Sequence, residues 1–464
     1  MSVRLPEDLL RGERWAARLA ELAEKHAVPG LQVGLLTLDG PGRHTVRVLS
    51  HGLTSLRTGV GVDDDTLFQL GSITKVWTAT LVMQLVDEGR LTLDTRVVDV
   101  LPDFRLADQT AADAITVRHL LTHTSGIDGD ILTDTGDGDD ALARYVEVLV
   151  PAVCTTPPGG HFDYCNAGFA VAGRIVEVLR ETDFTTAIHR HLFEPLGLEH
   201  TVMNAKDAIL HRAAVGHLAD LSDPGVRAVT PTPQWSLPRS SGPMGGAVGR
   251  MEDLLALAAG HLLDGVGLNG TRFLSAESAR LMRALQVDLA GLSSTDAGWG
   301  LGWAVGPWGP YDAVNHGGAT IGQIAQLHVL PSLGLAVGVL TNSRGGTALA
   351  KEVLAEIGRE LGLEYPVPRR EPGDHAPALA LAAAGTYESA TTRLVLERDG
   401  ERVLQLRVEQ KENLTGEPDA APTTVEALAD DRFLQTADQI EFAHTTYRGE
   451  EYLFALRLFK KVTS

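Results

Sequence analysis

A proline-rich, charged segment divides this chain of 464 residues into two unequal parts. The segment, at 364–374, contains Pro366, Pro368 and Pro372 together with five charged residues, a composition typical of linkers. A chain of this length with 44% hydrophobic residues can bury more than one core. We therefore predict two domains, at 1–365 and 375–464, joined by a linker at 366–374.

The part after the linker consists of short segments in which apolar and polar residues alternate. Segments 393–397 and 402–408 flank the hairpin signal Asp399-Gly400, and the alternation returns at 452–459. Helical patterns are almost absent from these roughly ninety residues. Several short strands in such a stretch predict a small antiparallel β-barrel.

The larger part mixes strand and helix patterns. Segments 31–37, 45–49 and 335–341 are strand-like, whereas helical segments fill residues 75–290. Strands therefore lie near both ends of this part, with helices between them. The pattern predicts an α+β fold.

Ser72 and Lys75 stand three residues apart at the start of a predicted helix that ends at Gly89. Because residues i and i+3 share one helical face, the Lys75 amine can reach the Ser72 hydroxyl. The helix N-terminus adds free N–H groups that favour an oxyanion. A base within reach and donors for the developing charge are what a nucleophilic serine needs. Taken alone, the same short pattern also fits an ordinary helix start.

Two further motifs follow along the chain. A Y-x-N motif occupies Tyr164 and Asn166, and an H-x-G motif begins at His316. The order S-x-x-K, Y-x-N, H-x-G resembles that of the penicillin-binding protein and β-lactamase superfamily. It is most similar to class C β-lactamases and their esterase and peptidase relatives. The resemblance covers roughly residues 10–360.

The resemblance implies an antiparallel sheet flanked by helices, in which strand 335–341 pairs with the N-terminal strands. It also makes the C-terminal barrel similar to the lipocalin-like domain that some members carry. Such a barrel is either a stabilising appendage or a lid or wall of the substrate cleft.

The resemblance also implies roles for the motif residues. Ser72 forms the acyl-enzyme, and the backbone N–H groups of Ser72 and Ala319 form the oxyanion hole. Lys75, made neutral by burial, and Tyr164 are alternative general bases, and the sequence leaves this choice open. Tyr164 also protonates the leaving group, whereas Asn166 holds the substrate amide and orients Lys75.

The third motif departs from the K-T-G form found in other members. His316 replaces its lysine, so the charge at this position depends on the neighbours. Gly317 replaces a hydroxyl residue that helps to hold the substrate carboxylate, so we expect poor β-lactam turnover. Gly317 and Gly318 are expected to bind substrate, and Arg448, in a barrel loop at 446–449, is expected to place a cation near it.

The N-terminus bears on the location of the protein. Residues 1–30 interleave charged residues with Leu and Ala, which is typical of an amphipathic helix and unlike the apolar core of a signal peptide. We therefore predict a cytoplasmic protein, whereas cell-wall peptidases and β-lactamases are exported.

The location, the H-x-G motif and the barrel together resemble the penicillin-binding-protein-type thioesterases. These enzymes release nonribosomal peptides from a carrier protein by head-to-tail cyclisation, so the resemblance implies a peptidyl thioester substrate, free or carrier-bound. The alternatives are a cytoplasmic D-amino-acid peptidase, a carboxylesterase or a β-lactamase-like hydrolase of the same fold. A pseudoenzyme that binds peptides without turnover is a further alternative.

Other classes of function find little support. The formal net charge of −20 argues against nucleic acid or an anionic membrane as the partner. An acidic loop at 128–140 lacks the EF-hand spacing and is predicted to be solvated. The G-x-G-x-x-G stretch at 265–270 follows a predicted helix and not a strand, and His119 and His123 lack the glutamate of a zinc-binding H-E-x-x-H motif. No cofactor or metal is expected.

Overall fold

The computed structural model describes residues 5–40, 42–219, 229–293, 295–367, 376–411, 421–428, 431–435 and 440–462. From residue 368 onward, the predicted linker at 366–374 lies outside these residues. The predicted domain boundaries therefore stay predictions.

The first part of the chain contains both helices and strands, and the second part is mostly strands. The helices, in chain order, are α1 Gly12–Lys25, α2 Thr74–Asp87, α3 Val97–Val100, α4 Gln109–Ala114, α5 Val117–Leu121, α6 Ala141–Val148, α7 Asn166–Arg180, α8 Phe184–Ile188, α9 Glu194–Leu196, α10 Ala205–Ala208, α11 Gly242–Gly245, α12 Met251–Leu262, α13 Ala276–Arg283, α14 Gly346–Leu361 and α15 Ala376–Ala383. The strands are β1 Gly30–Gly40, β2 Arg43–Gly52, β3 Phe68–Gln69, β4 Thr201–Val202, β5 His217–Ala219, β6 Val229–Pro231, β7 Val248–Gly249, β8 Val287–Asp288, β9 Gly298–Trp299, β10 Ala304–Trp308, β11 Tyr311–Thr320, β12 Gln323–Leu330, β13 Leu335–Thr341, β14 Gly385–Glu388, β15 Thr392–Arg398, β16 Val403–Gln410, β17 Thr423–Ala427, β18 Arg432–Gln435, β19 Ile440–Tyr447, β20 Glu450–Ala455 and β21 Arg457–Lys461.

The main sheet joins the two ends of the first part. Its strand order is β2-β1-β13-β12-β11-β10-β9-β8, and β1 pairs antiparallel with β13, from Leu31 opposite Thr341 to Thr37 opposite Leu335. The predicted α+β fold and the pairing of strand 335–341 with an N-terminal strand are confirmed.

Both faces of the central strand β1 are covered. Val33 and Leu35 pack against α1 and α14, where Trp15 and Val353 belong to the same apolar cluster. Leu36 belongs to the cluster on the other face, which α2 and α12 also enter. Burial on both faces explains why this segment is an almost continuous apolar run.

Helix α2 crosses the interior on this second face. Every residue from Thr74 to Leu85 is buried, so the helix has little polar face and its position is fixed by neighbours on all sides. Gly89 follows the helix in the left-handed conformation, with φ +68°, as its sequence position predicts. The helix therefore holds the residues at its N-terminus in a rigid frame.

The C-terminal part is a closed antiparallel barrel in the order β14 to β21, which confirms the predicted architecture. Its core contains Leu394, Leu404 and Phe459, and α15 contributes Leu379 and Ala383. The predicted single strand at 452–459 is wrong, because Leu456 takes a left-handed conformation, with φ +62°, that folds the segment into the hairpin β20–β21.

The barrel packs against the first part through a shared apolar cluster. From the first part the cluster takes Phe162, Tyr164 and Trp299, and from the barrel it takes Phe454 and Leu458, among others. No helix within the described ranges is both long and apolar enough to cross a membrane.

Candidate active site

The predicted nucleophile lies where the main sheet meets the buried helix. Ser72 belongs to a short 3₁₀ turn, Gly71–Ile73, that leads directly into α2. Strand β11 presses closely on this turn: a Cβ on Gly318 would collide with the Leu70 carbonyl oxygen, and a Cβ on Gly71 would crowd the Ala319 nitrogen. The two glycines thus let strand β11 lie close to the Ser72 turn. An oxyanion hole from the N–H groups of Ser72 and Ala319 stays a prediction.

Lys75 is fully buried beneath the serine. Its Nζ lies 3.0 Å from Ser72 Oγ and 2.6 Å from the carbonyl oxygen of Met244. Burial lowers the pKa of Lys75 well below its ordinary value, and the positive charge of Arg457 lowers it further. A neutral amine can donate to Met244 and accept the proton of the serine hydroxyl.

Tyr164 stands on the other side of the serine. Its hydroxyl is hydrogen-bonded to Ser72, and its ring lies 5.0 Å from Lys75 Nζ. Burial raises the pKa of Tyr164 above its ordinary value, although the Ser72 hydrogen bond and Arg457 oppose this effect. The phenol is therefore protonated at neutral pH and is a proton donor.

Asn166 begins α7 two residues after this tyrosine. Its Nδ2 donates to Asp130 Oδ1 over 2.5 Å, which fixes the orientation of the amide group. Asp130 in turn pairs with Arg457, whose Nε lies 2.6 Å from Asp130 Oδ2. The guanidinium carbon of Arg457 lies 5.1 Å from the centre of the Tyr164 ring, so one ion pair borders two of the predicted catalytic residues.

Arg457 comes from the barrel and was missed by the sequence analysis. Burial alone would lower the pKa of its guanidinium, but Asp130, Tyr164 and Asp163 together outweigh burial and raise that pKa, so the group stays charged. The predicted cation, Arg448, lies instead in the exposed β19–β20 turn, with its guanidinium 5.5 Å from the Tyr447 ring. A lone arginine within the apolar stretch 452–459 was the available signal.

Backbone hydrogen bonds fix the β20–β21 hairpin beside the site. The Tyr164 N–H donates to the Leu456 carbonyl oxygen over 2.9 Å, and the Leu458 N–H donates to Asp163 Oδ1 over 3.1 Å. Burial raises the pKa of Asp163 to about 7. The residue before Tyr164 and Tyr164 itself are thus both bonded to the barrel.

The acidic loop at 128–140 has two different halves. Asp128 Oδ2 accepts from the Ala390 N–H of the barrel over 2.6 Å, and Asp130 holds Arg457. Asp137 and Asp139 are exposed. The prediction of a solvated loop is therefore wrong for its first residues, because barrel groups replace water there.

His316 closes the site from strand β11. Its Nδ1 donates to the Gly317 carbonyl oxygen over 2.6 Å. Burial lowers the pKa of His316 to about 3, so the ring is neutral. A Cβ on Gly317 would touch the amide of Gln326 on β12. The third motif therefore carries neither a fixed cation nor a hydroxyl.

Together, these residues place a serine hydroxyl beside a buried amine and close to a phenol. A serine with a base and a proton donor within reach can act as a nucleophile.

Comparison with known proteins agrees with this geometry. The Beta-lactamase family model matches residues 15–359. Penicillin-binding protein 4 of Amycolatopsis lactamdurans is 42% identical over 381 residues, which cover 81% of this chain and 97% of that protein. Unguisins hydrolase ungD' of Aspergillus campestris is 26% identical over 73% of this chain and 64% of its own length.

The similarity to a solved structure extends across both parts of the chain. SurE, whose crystal structure contains D-Leu, is 26% identical and superposes with a TM-score of 0.69 over 96% of this chain and 98% of its own.

Proposed function

The chain belongs to the beta-lactamase family, and from this premise we propose that it is a thioesterase acting in trans on a peptidyl thioester. It is a serine hydrolase by family. In the finer proposal, Ser72 takes a nonribosomal peptide from its carrier protein and releases it as a head-to-tail macrocycle. The contribution of Arg457 from the barrel to the serine site is the observation that carries this proposal.

Acylation of the serine comes first. Neutral Lys75 accepts the Ser72 proton as Oγ bonds to the thioester carbonyl carbon, and the N–H groups of Ser72 and Ala319 stabilise the oxyanion. The carbon–sulfur bond then breaks, and Tyr164 donates a proton to the leaving sulfur. The directions of the two pKa shifts favour Lys75 as the base and Tyr164 as the acid.

Release requires a second nucleophile at the ester carbonyl. The amino terminus of the bound peptide attacks this carbon and gives its proton to the Tyr164 phenolate. The Lys75 ammonium returns its proton to Ser72 Oγ as the ester bond breaks, so both side chains regain their starting states. This attack is intramolecular, so its effective molarity can far exceed that of an external amine. The apolar wall that Phe454 and Leu458 add beside Phe162 and Trp299 limits access of the competing water.

The proposal extends to the chirality of the acyl donor, for which similarity gives support. SurE was crystallised with D-Leu, and its likeness spans nearly the whole chain, which supports a donor that ends in a D-residue. A carrier protein as partner and a cytoplasmic location are part of this proposal and rest on the sequence alone.

The test uses linear peptide thioesters that end in a D-residue or in its L-enantiomer. Mass spectrometry distinguishes the macrocycle from the hydrolysis product, which is heavier by one water. The proposal expects mainly macrocycle from the D-ended substrate, and Ser72→Ala as the inactive control. Linear acid as the main product from every substrate would contradict it.

A hydrolase is the second candidate. A relative named for hydrolysis of unguisins and another named as a penicillin-binding protein support a D-amino-acid peptidase, a carboxylesterase or a β-lactamase-like enzyme. Linear acid from the same assay would favour this candidate. A pseudoenzyme predicts that a fluorophosphonate leaves Ser72 unlabelled.

A further inference from the structure

A buried histidine outside the three motifs contacts the tyrosine of the second motif and the peptide groups on either side of it. His123 follows α5, has no exposed surface and takes the left-handed conformation, with φ +55°. This conformation is unfavourable for residues other than glycine and persists only where surrounding contacts impose it. The contacts of His123 are therefore informative.

Two of these contacts hold the peptide groups on either side of Tyr164. The His123 carbonyl oxygen accepts from the Asp163 N–H over 2.8 Å. The His123 ring accepts at Nδ1 from the Cys165 N–H over 2.9 Å. One residue thus fixes the backbone before and after the tyrosine.

A third contact holds the tyrosine side chain. The imidazole stacks on the Tyr164 ring with centroids 4.1 Å apart and an angle of 26° between the planes. Phe162, Phe169 and Trp299 pack around the same imidazole, with centroids 5.0–5.7 Å away. The ring is therefore held between the tyrosine and an aromatic cage.

The protonation state suits this role. Because Nδ1 accepts a hydrogen bond, the neutral ring carries its proton on Nε2, which has no hydrogen-bond partner among the residues described. Burial lowers the pKa of His123 well below its ordinary value. The His123 imidazole is therefore uncharged and does not donate a proton in the reaction.

We infer that His123 is a positioning residue that holds the Tyr164 hydroxyl at Ser72. The inference rests on the acid role given to Tyr164 in the proposed function. It assigns to His123 a task in acylation, separate from support of the fold, because its three contacts all converge on this one tyrosine and its flanking peptide groups.

A double-mutant cycle tests this assignment with phenyl acetate, whose leaving phenolate is basic enough to benefit from a proton donor and whose acyl transfer to Ser72 needs no knowledge of the natural substrate. The variants are His123→Asn, Tyr164→Phe and the double variant. Asparagine tolerates the left-handed conformation better than most residues, so His123→Asn removes the stacked ring with little added backbone strain. Stopped-flow absorbance gives the acylation rate constant and the substrate dissociation constant separately.

We expect His123→Asn to slow acylation about tenfold or more in the parent enzyme and less than about twofold when Tyr164 is already phenylalanine. The dissociation constant should change little in either background. Equal slowing in both backgrounds would overturn the inference, because a general structural defect is indifferent to the tyrosine hydroxyl. An unchanged rate in His123→Asn would overturn it as well.

Failure of the proposed function gives a different result. If Tyr164→Phe acylates at the parent rate, the acid role of Tyr164 is wrong and the inference falls with it. Lack of labelling at Ser72 by a fluorophosphonate in the parent enzyme would instead remove the nucleophile. His123→Phe, which keeps a ring but loses the acceptor for the Cys165 N–H, is the second variant should His123→Asn not fold.

His261 offers a matched control. Its ring is also fully buried and packs on Phe273 and Trp303, with neither ring nitrogen bonded within the described part of the chain. His261→Phe should leave the acylation rate within about twofold of the parent, since it changes packing alone. Slowing of acylation by His261→Phe to the level of the His123 variants would count against a specific role for His123.

Discussion

Arg457 of the barrel and Asp130 of the first part form an ion pair, with Nε 2.6 Å from Oδ2, and the Arg457 guanidinium lies over the Tyr164 ring. The same Asp130 accepts from the Asn166 amide. The pair therefore links the barrel to the second motif, and it places a permanent positive charge near the buried amine of Lys75.

The nucleophile is tested by removal of its hydroxyl. Ser72→Ala should abolish acyl transfer and covalent labelling by a fluorophosphonate, since no other described serine lies beside Lys75. Lys75→Ala should lose roughly three or more powers of ten in kcat, as loss of one member of a catalytic unit usually does. The control is Ser50→Ala on β2, which removes a hydroxyl that donates a hydrogen bond to Asp64. A Ser72→Ala enzyme with its full rate would disprove the assignment.

Arg457→Gln should change the pH dependence of catalysis. The charge of Arg457 is the second cause, after burial, of the lowered pKa of Lys75. Loss of that charge, with Asp130 left unpaired, raises the lysine pKa, so the acid limb of kcat/KM moves to higher pH. Rates with p-nitrophenyl acetate across pH give the limb, and Arg407→Gln on the barrel surface is the control. If the acid limb of kcat/KM stays at the same pH in Arg457→Gln, the charge of Arg457 does not influence the pKa of Lys75.

The stability of the protein should fall as pH rises through neutrality. The folded pKa of Asp163 is about 7, above the ordinary value of about 3.9, so between these values the folded state holds a proton that the unfolded state has lost. Each pH unit in this window costs up to about 1.4 kcal/mol of unfolding free energy. Urea denaturation from pH 5 to 8 should show a shallower decline for Asp163→Asn than for the parent.

The exposed Asp134 provides the control for this experiment. Asp134→Asn should keep the parent slope because its side chain stays in water. If the unfolding free energy falls equally with pH in Asp163→Asn and in the parent, Asp163 has the same pKa in the folded and unfolded states, which contradicts the prediction.

Nitrocefin should be hydrolysed slowly or not at all. Gly317 offers no hydroxyl, and the neutral His316 offers no fixed charge to the carboxylate of the β-lactam. Absorbance assays with wild-type protein measure the rate, and Ser72→Ala gives the background. Turnover of about 10 per second or more, typical of efficient enzymes, would contradict this expectation.

Local patterns predicted the fold better than they predicted the site. The S-x-x-K spacing placed Lys75 beneath Ser72, because one helix sets that geometry within its first turn. The strand at 335–341 was recognisable because burial on both faces leaves a continuous apolar run. Both features depend on short-range structure.

The missed features depend on how distant segments meet. Leu456 carries no turn signature, yet its left-handed conformation reverses the chain and brings Arg457 to Tyr164. The turn at 446–449 had the usual glycine and drew attention to Arg448 instead. From the sequence, Asp128 and Asp130 resemble solvated acidic residues, but in the fold both contact groups of the barrel. Tertiary contact overrode local pattern at each of these positions.

The pairing of Leu31 with Thr341 also governs how the protein is made. Strand β1 leaves the ribosome about three hundred residues before its partner β13, and sheets built from such distant segments fold slowly. Until β13 arrives, the apolar β1 has an open edge on which other chains can aggregate. Synthesis therefore passes through a long interval in which this edge stays unpaired, whereas the barrel, about the last fifth of the chain, pairs strands that follow one another in sequence.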